Sequence, residues 1–324
     1  MYIASEVVQF YTEDWKPYLD LDTFNHKDST IILSEMEWVV SFSTRKLITL
    51  QPGLERVCEK LYLALKHQMT REKDIAYSLF SIFNVAIPVM YGEGNQAVGH
   101  LLEHVLMGSR DVTILAWTGT SGSYNSCLPI DLTAYNHIVP PHIPQPIEVV
   151  DMNSMVATLR SSLLDLSSAM ILHGCLNNLP SPSIAASRLQ LPGISFRLTQ
   201  LVHTVDRDPV MNLHVYHVTM SVFGDIEIKT KDDLTGMKDL CLVHPWIHPL
   251  LDQGFLDGAA ILGKTTQALQ FVACLMQPFG ALLFEPLSCV EHRRVAADSL
   301  IIAQVREEAS LTELMDGIHM IDIQ

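Results

Sequence analysis

Charge is what this sequence has least of. Only 18% of its 324 residues are charged, and 21 Lys and Arg face 36 Asp and Glu, a balance of −15. A nucleic-acid partner is excluded, because holding phosphates requires a basic surface that displaces their counterions, and the chain has no basic stripe. The same sign of charge disfavours an anionic membrane surface. Long apolar runs are also missing: none approaches the roughly 18 residues of a spanning helix. The opening Met1-Tyr-Ile-Ala-Ser-Glu6 has no basic stretch and reaches a carboxylate before an apolar run develops, so it does not read as a signal peptide. The six cysteines, at 58, 127, 175, 241, 274 and 289, form no CxxC pair and read as free, mostly buried thiols of a reducing compartment. A cytoplasmic protein is expected. Phosphate-binding P-loops, dinucleotide fingerprints and GxSxG elbows are absent, so no cofactor is expected.

What the chain has is apolar material. Hydrophobic residues make up 48% and the mean hydropathy is +0.21, enough for a sizeable core. A prior of roughly 150 residues per domain allows one large or two ordinary domains. Residues 6–20 read as two short strands around Glu13-Asp14, and 28–50 fit either short helix or short strand. Leu54, Val57, Cys58, Leu61 and Leu65 then recur at three-to-four spacing, as helices do. Thr70 is a candidate N-cap for a second helix carrying Ile75, Ala76, Leu79, Ile82 and Phe83, which stops before Pro88. A third helix opens after Gly92-Glu93-Gly94, turns Ala97, Val98, Leu101, Leu102, Val105 and Leu106 inward, and is expected to end at Gly108. Asp111–Trp117 reads as a buried strand.

The region 126–150 changes composition. Val139–Pro146 holds four of the 16 prolines, which neither donate to a ladder nor continue a helix, so a linker is expected there. It separates a mainly helical 1–125 from a domain at 151–324. That domain is expected to hold a helix at 154–166, strands at 193–199, 213–222, 224–230, 239–244, 279–285 and 299–306, and a helix near 264–275. A capping box at Ser310–Glu313 opens a short terminal helix. No βαβ rhythm or internal repeat is visible, so the fold class lies between α/β and α+β, with α+β favoured in the second half.

The sharpest chemical pattern is His100-Leu-Leu-Glu103-His104. This H-x-x-E-H spacing places two histidines one helical turn apart, as in zinc hydrolases where the glutamate activates water. The competing reading is the solvated side of an amphipathic helix. Nothing downstream marks a third ligand, and a chain with 14 histidines meets such a spacing by composition. His244 and His248 flank Trp246 among prolines and read as loop histidines. Tyr91–Gly94 could offer amides to an anion at a helix start, although Glu93 would repel it and a tight turn suffices. Cys127 and Cys175 would be nucleophiles only with a base nearby.

One stretch is more specific. Thr70, Arg71, Asp74, Ala76, Tyr77, Leu79, Ile82, Phe83, Val85, Pro88 and Tyr91-Gly92-Glu93-Gly94 fall on the pattern T-R-x-x-D-x-A-Y-x-L-x-G-I-F-x-V-x-x-P-x-x-Y-G-E-G, followed by Ala116-Trp117. In these residues the chain resembles the C-terminal block of fungal HET (heterokaryon incompatibility) domains. It departs at Ser81, where the family carries glycine, a change expected to alter packing against the next helix. Ile3–Trp15 looks like the family segment that follows its W-T-x-Q-E motif, and 151–324 is similar overall to the uncharacterised domain following HET in many fungal proteins. The family's earlier blocks are missing, so the resemblance implies a truncated, TIR-like remnant. It implies a role in non-self recognition and cell-death signalling, protein partners, and no catalytic residue. Arg71, Asp74, Tyr77, Pro88, Tyr91, Gly92, Glu93, Gly94 and Trp117 carry over as fold-defining positions only.

A truncated HET core would leave the 54–107 helices with a face lacking its partner. Either 151–324 covers that face, or an apolar patch is expected near Val7, Phe10 and the Ile75/Leu79 stripe.

Overall fold

Apolar residues three and four apart wind the first part of the chain into helices, and alternating ones draw the rest into a sheet. The computed structural model describes residues 7–21, 23–40, 51–65, 72–88, 96–136, 166–198, 202–208, 213–220, 224–235, 237, 239–246, 275, 277–288, 291–295, 297–305 and 314–324. The first part comprises α1 (Thr30–Val40), α2 (Val57–Leu65), α3 (Glu72–Phe83) and α4 (Gln96–Ser109). The ambiguous 28–50 stretch is thus helical over 30–40. The expected stripes face inward: Val57 and Leu61 of α2, Leu79 and Phe83 of α3, and Leu101, Leu102, Val105 and Leu106 of α4 are all fully buried. Ala76 and Ile82 of α3 lie in the same core.

Three local expectations are corrected. Residues 7–20 form no strands but a single bridge, Tyr11 to Pro17, around a turn in which the Trp15 N–H donates to the Thr12 carbonyl at 2.9 Å. Asp111–Trp117 is not a strand: the Asp111 carboxylate accepts from the Thr113 N–H at 2.9 Å and closes a 3-10 turn over Val112–Leu115. A buried apolar run does not by itself distinguish strand from helical turn, and the Asx cap decides it here. Gly108 does not end α4. The helix runs to Ser109, Arg110 takes the left-handed turn (φ 57°), and a Cβ added to Gly108 would lie 2.5 Å from Leu54 Cδ1.

The second part holds α5 (Leu166–Asn177) and ten strands: β1 (Ser183–Ala185), β2 (Arg188–Leu198), β3 (Val202–Asp208), β4 (Leu213–Met220), β5 (Gly224–Thr230), β6 (Leu240–Pro245), β7 (Phe279–Pro286), β8 (Glu291–Arg294), β9 (Ile301–Val305) and β10 (Ile318–Ile323). The six expected strands coincide with β2, β4, β5, β6, β7 and β9. The short or polar β1, β3 and β8 were not expected, nor was β10. His244, expected in a loop, lies in β6. Of the expected helix at 154–166, the described helix begins only at Leu166, while 154–165, the 264–274 stretch and the 310–313 capping box lie outside the described residues. Leu314, which follows that box, is helical and leads into a 3-10 turn, Met315–Gly317.

The strand order is β1-β2-β10-β8-β7-β9-β5-β4-β3. β6 pairs with both β2 and β7, so pairing runs in a closed circuit, β2–β10–β8–β7–β6 and back to β2. Every pairing is antiparallel except β10 with β8. Helices segregated from a largely antiparallel sheet make this an α+β protein.

Because successive strand residues point to opposite faces, the sheet feeds two cores. Leu189, Leu191, Val243, Leu282, Phe284, Ile321 and Ile323 join the helical core. Ile194, Phe196, Leu198, Leu242 and Leu283 join a second core with α5, β4, β5 and β9. The second part therefore covers the helical face, and Leu79 is buried rather than part of an exposed patch; Val7 is exposed and Phe10 only partly buried. Of the expected linker, 126–136 lies within the described structure, with Cys127, Leu128, Leu132 and Tyr135 buried in the helical core. Residues 137–150 lie outside it.

Gly193 sits where β2 is paired on both edges, and an added Cβ would lie 2.8 Å from the His244 carbonyl oxygen. Gly193→Ala is expected to cost about 2 kcal/mol in urea unfolding, because backbone must yield. Gly280→Ala in β7, with open space at its Cβ, should stay within about 0.5 kcal/mol of the parent. His244 stacks on Phe279 at 4.0 Å, and burial pushes its pKa down to about 4. It is neutral in the fold and protonates near 6.5 in the unfolded chain, so its contribution is complete above about pH 6.5 and lost as pH falls toward 4. Unfolding followed between pH 7 and 4 should show a loss on the order of 2 kcal/mol from this group, smaller in His244→Leu.

Candidate functional site

The family-motif positions separate into three groups. Arg71 and Tyr91, Gly92, Glu93 and Gly94 lie outside the described residues, as does the side chain of Asp74 in α3. Tyr77 is half-buried and meets Phe80 edge-on at 5.5 Å, whereas Pro88 is exposed beyond the end of α3. Ser81, where the pattern has glycine, is exposed too: its hydroxyl donates to the Ser78 carbonyl at 3.3 Å rather than packing on the next helix. Of the described positions, Trp117 alone sits at a junction of elements.

His100, Glu103 and His104 lie on the outer side of α4, whose inner stripe is buried. The Glu103 carboxylate accepts the Tyr124 hydroxyl, and His100 Nδ1 lies 3.8 Å from it while its ring rests on Tyr124 at 4.6 Å. His104 Nδ1 is 2.9 Å from the His100 carbonyl oxygen, which turns this ring along its own helix. No group of three His, Cys, Asp or Glu able to hold a metal occurs among the described residues. The triad belongs to a polar seam joining α4 to the 118–129 loop. Cys127 is buried and its thiol is pushed up to about 12 by desolvation, which leaves it inert as a nucleophile. Cys175 lies in α5.

The junction the sequence reading missed is built around Arg294. This β8 side chain enters the space between sheet and helices, and its guanidinium donates to the carbonyls of Leu115 (2.7 Å), Trp117 (3.1 Å) and Cys127 (3.4 Å). Its Cζ lies 3.8 Å from the Trp117 ring centroid. The indole N–H donates to the Cys127 carbonyl at 2.6 Å, so cation and indole share one acceptor. Burial lowers the guanidinium pKa to about 10, which keeps the charge at neutral pH.

Asn125 and Ser126 extend the junction. The Asn125 amide donates to the Ser187 and Ile323 carbonyls, at 2.8 and 3.0 Å, while its carbonyl accepts the Cys127 N–H. The Ser126 hydroxyl donates to the Gln324 carbonyl and accepts the Arg294 N–H at 3.1 Å. An arginine in a short polar strand carries no periodic signal, so only the three-dimensional arrangement exposes this role.

Beside the junction, Thr118, Gly119, Thr120, Asp131, Thr133 and Asp298 line a cleft of about 280 Å³. Asp131 accepts from the Thr133 N–H at 2.7 Å and from its hydroxyl. These hydroxyls and carboxylates can hydrogen-bond a small polar molecule, and no histidine or cysteine is among the residues lining the cleft. No helix among the described residues is long and apolar enough to cross a membrane. No protein-family model, curated protein or solved structure matches this chain.

Replacing Arg294 leaves carbonyls stranded in the core. Arg294→Ala is expected to lower unfolding free energy by about 3–5 kcal/mol, and Arg294→Lys, which keeps charge but cannot reach three acceptors, by about 2 kcal/mol. The neighbouring exposed Arg293, 3.8 Å from Glu285, should cost under about 0.5 kcal/mol as alanine in the same denaturant titration.

Proposed function

We propose that this chain is a protein of the fungal HET family that acts in non-self recognition through protein contacts, with no catalysis by its own residues. The observation that carries this reading is the run from Thr70 to Gly94 followed by Ala116-Trp117, in which residue types and spacing fall on the family pattern. The burial of Ala76, Leu79, Ile82, Phe83 and Trp117 in one helical core supports treating these positions as fold-defining. A TIR-like relationship of the helical part belongs to the same reading.

The absence of catalysis is argued from the chemistry within reach. The His100–Glu103–His104 seam is spent on Tyr124 and on its own helix, and the cleft by Asp131 is lined by threonines and carboxylates with no histidine or cysteine among them. Expression in a filamentous fungus, scored for viability after hyphal fusion with a panel of tester strains, checks the proposal. Normal growth of unfused colonies, with reduced viability of fused cells for at least one tester, is expected. Uniform viability across all testers would count against it, and killing of unfused colonies would show an autonomous toxic activity instead.

A further inference from the structure

The segment before α2 displays its aromatics. Trp15 and Trp38 are 84% and 85% exposed, and Tyr11 and Ile31 about half so, against a chain whose other large apolar residues are mostly buried. Large aromatics left in water in one region mark a binding surface rather than scattered exposure.

These side chains are joined. Tyr11 and Trp15 lie 6.3 Å apart across the turn that the Tyr11–Pro17 bridge closes. Tyr18, which follows the bridge, lies near Glu35 of α1, whose carboxylate raises the Tyr18 phenol pKa. Ile31, Glu35 and Trp38 are spaced four and three apart, so they share one outward face of that helix. Turn and helix thus adjoin where Tyr18 meets Glu35, with exposed Trp15 in the turn and exposed Trp38 on the helix.

Two further features point to an occupant. Trp15 holds a left-handed backbone (φ 60°), as do Leu19 and Asp20 nearby (58° and 52°). Such geometry is costly for an indole-bearing residue and persists where the surrounding turn imposes it, often at ligand contacts. The surface is also rimmed by Glu13, Asp14, Asp20 and Glu35, all exposed, with Lys16 as the exposed cation within the turn. An indole face with carboxylates around it is complementary to guanidinium or ammonium groups, which gain cation–π attraction on the ring and Coulombic attraction at the rim. The same carboxylates, on a chain of net charge −15, repel a second copy of this protein.

We propose that the surface formed by Tyr11, Trp15, Tyr18, Ile31 and Trp38 docks an Arg/Lys-rich segment of a partner protein, with basic side chains seated over the two exposed indoles. The inference stands on exposure and charge and does not depend on family membership.

The test uses the purified full chain and a fluorescein-labelled twelve-residue peptide alternating Arg and Gly, beside its charge-reversed Glu–Gly counterpart. Binding of the Arg peptide alone is expected, followed by polarisation and by quenching of tryptophan emission, and weakening as salt rises. Because an acidic chain attracts a basic peptide anywhere on its surface, the variants locate the site. Trp15→Ala and Trp38→Ala should each weaken binding on the order of 5-fold. Asp14→Asn with Glu35→Gln should weaken it about 3-fold and flatten the salt dependence. Leu287→Ser, at an exposed apolar residue beyond β7, should leave it unchanged. Equal binding of both peptides, no binding of either, or unchanged affinity in both tryptophan variants overturns the proposal. So does a sizing-column dimer that Trp38→Ala converts to monomer, since the occupant is then a second copy. If a tryptophan variant fails to fold, the peptide comparison and the charge variants still decide.

Discussion

A buried cation with carbonyl oxygens for counter-charge governs how the two parts of this protein meet. Taking a guanidinium out of water costs several kcal/mol, and that cost is offset only when its donors are satisfied. Arg294 meets the requirement with three main-chain carbonyls, all from the 115–127 segment, and the face of Trp117. These partners have fixed directions, so the arginine holds β8 and that segment in one relative position. The Arg294 main chain adds to this through Ser126, which also binds the Gln324 carbonyl. The loop between the last helical turn and the sheet is thereby tied to β8 and to the residue after β10.

Around this junction the apolar pattern is consistent at every level. Strand alternation sends one set of side chains toward the helices and the other toward α5 and the outer strands, so the sheet is covered on both faces. Helices that would lack a partner in isolation find one in Leu191, Val243, Phe284 and Ile323. The Met107 sulfur, accepting the Ile184 N–H at 3.2 Å, adds a direct contact between α4 and β1. Nothing in this arrangement requires the exposed aromatics of residues 11–38, which sit outside both cores and are available for another purpose.

How much of this could be read from residues alone follows from the range of each interaction. The stripes of α2, α3 and α4 were legible because helix burial is a local period, and the same holds for β2, β4 and β7 with their alternating or continuous apolar runs. The 3-10 turn at Val112–Leu115 was misread as a strand because its deciding feature is one cap hydrogen bond from Asp111, not a periodicity. β10, Ile318-His-Met-Ile-Asp-Ile, alternates over only six residues, too short a run to stand out from the sequence beside the capping box that precedes it. The Arg294 junction was invisible, since its partners lie roughly 170 to 180 residues away in the chain. His100, Glu103 and His104 were found, but their geometry depends on Tyr124, which no spacing rule connects to them.

The place of β10 in the strand order bears on how the chain comes to its structure during synthesis. β10 lies between β2 and β8, with residues 318–323 paired to 189–194. Neighbouring strands such as β1–β2, β3–β4–β5 and β6–β7–β8 can pair in the order of translation, but until residue 323 leaves the ribosome one edge of β2 has no strand to pair with, and Leu189 and Leu191 lack the neighbours Ile321 and Ile323 provide. Long-range pairing of this kind carries a large loop-closure entropy and slows folding. The nascent protein is thus expected to keep this edge of β2, with its apolar side chains, open until β10 emerges, the kind of exposure that chaperones cover.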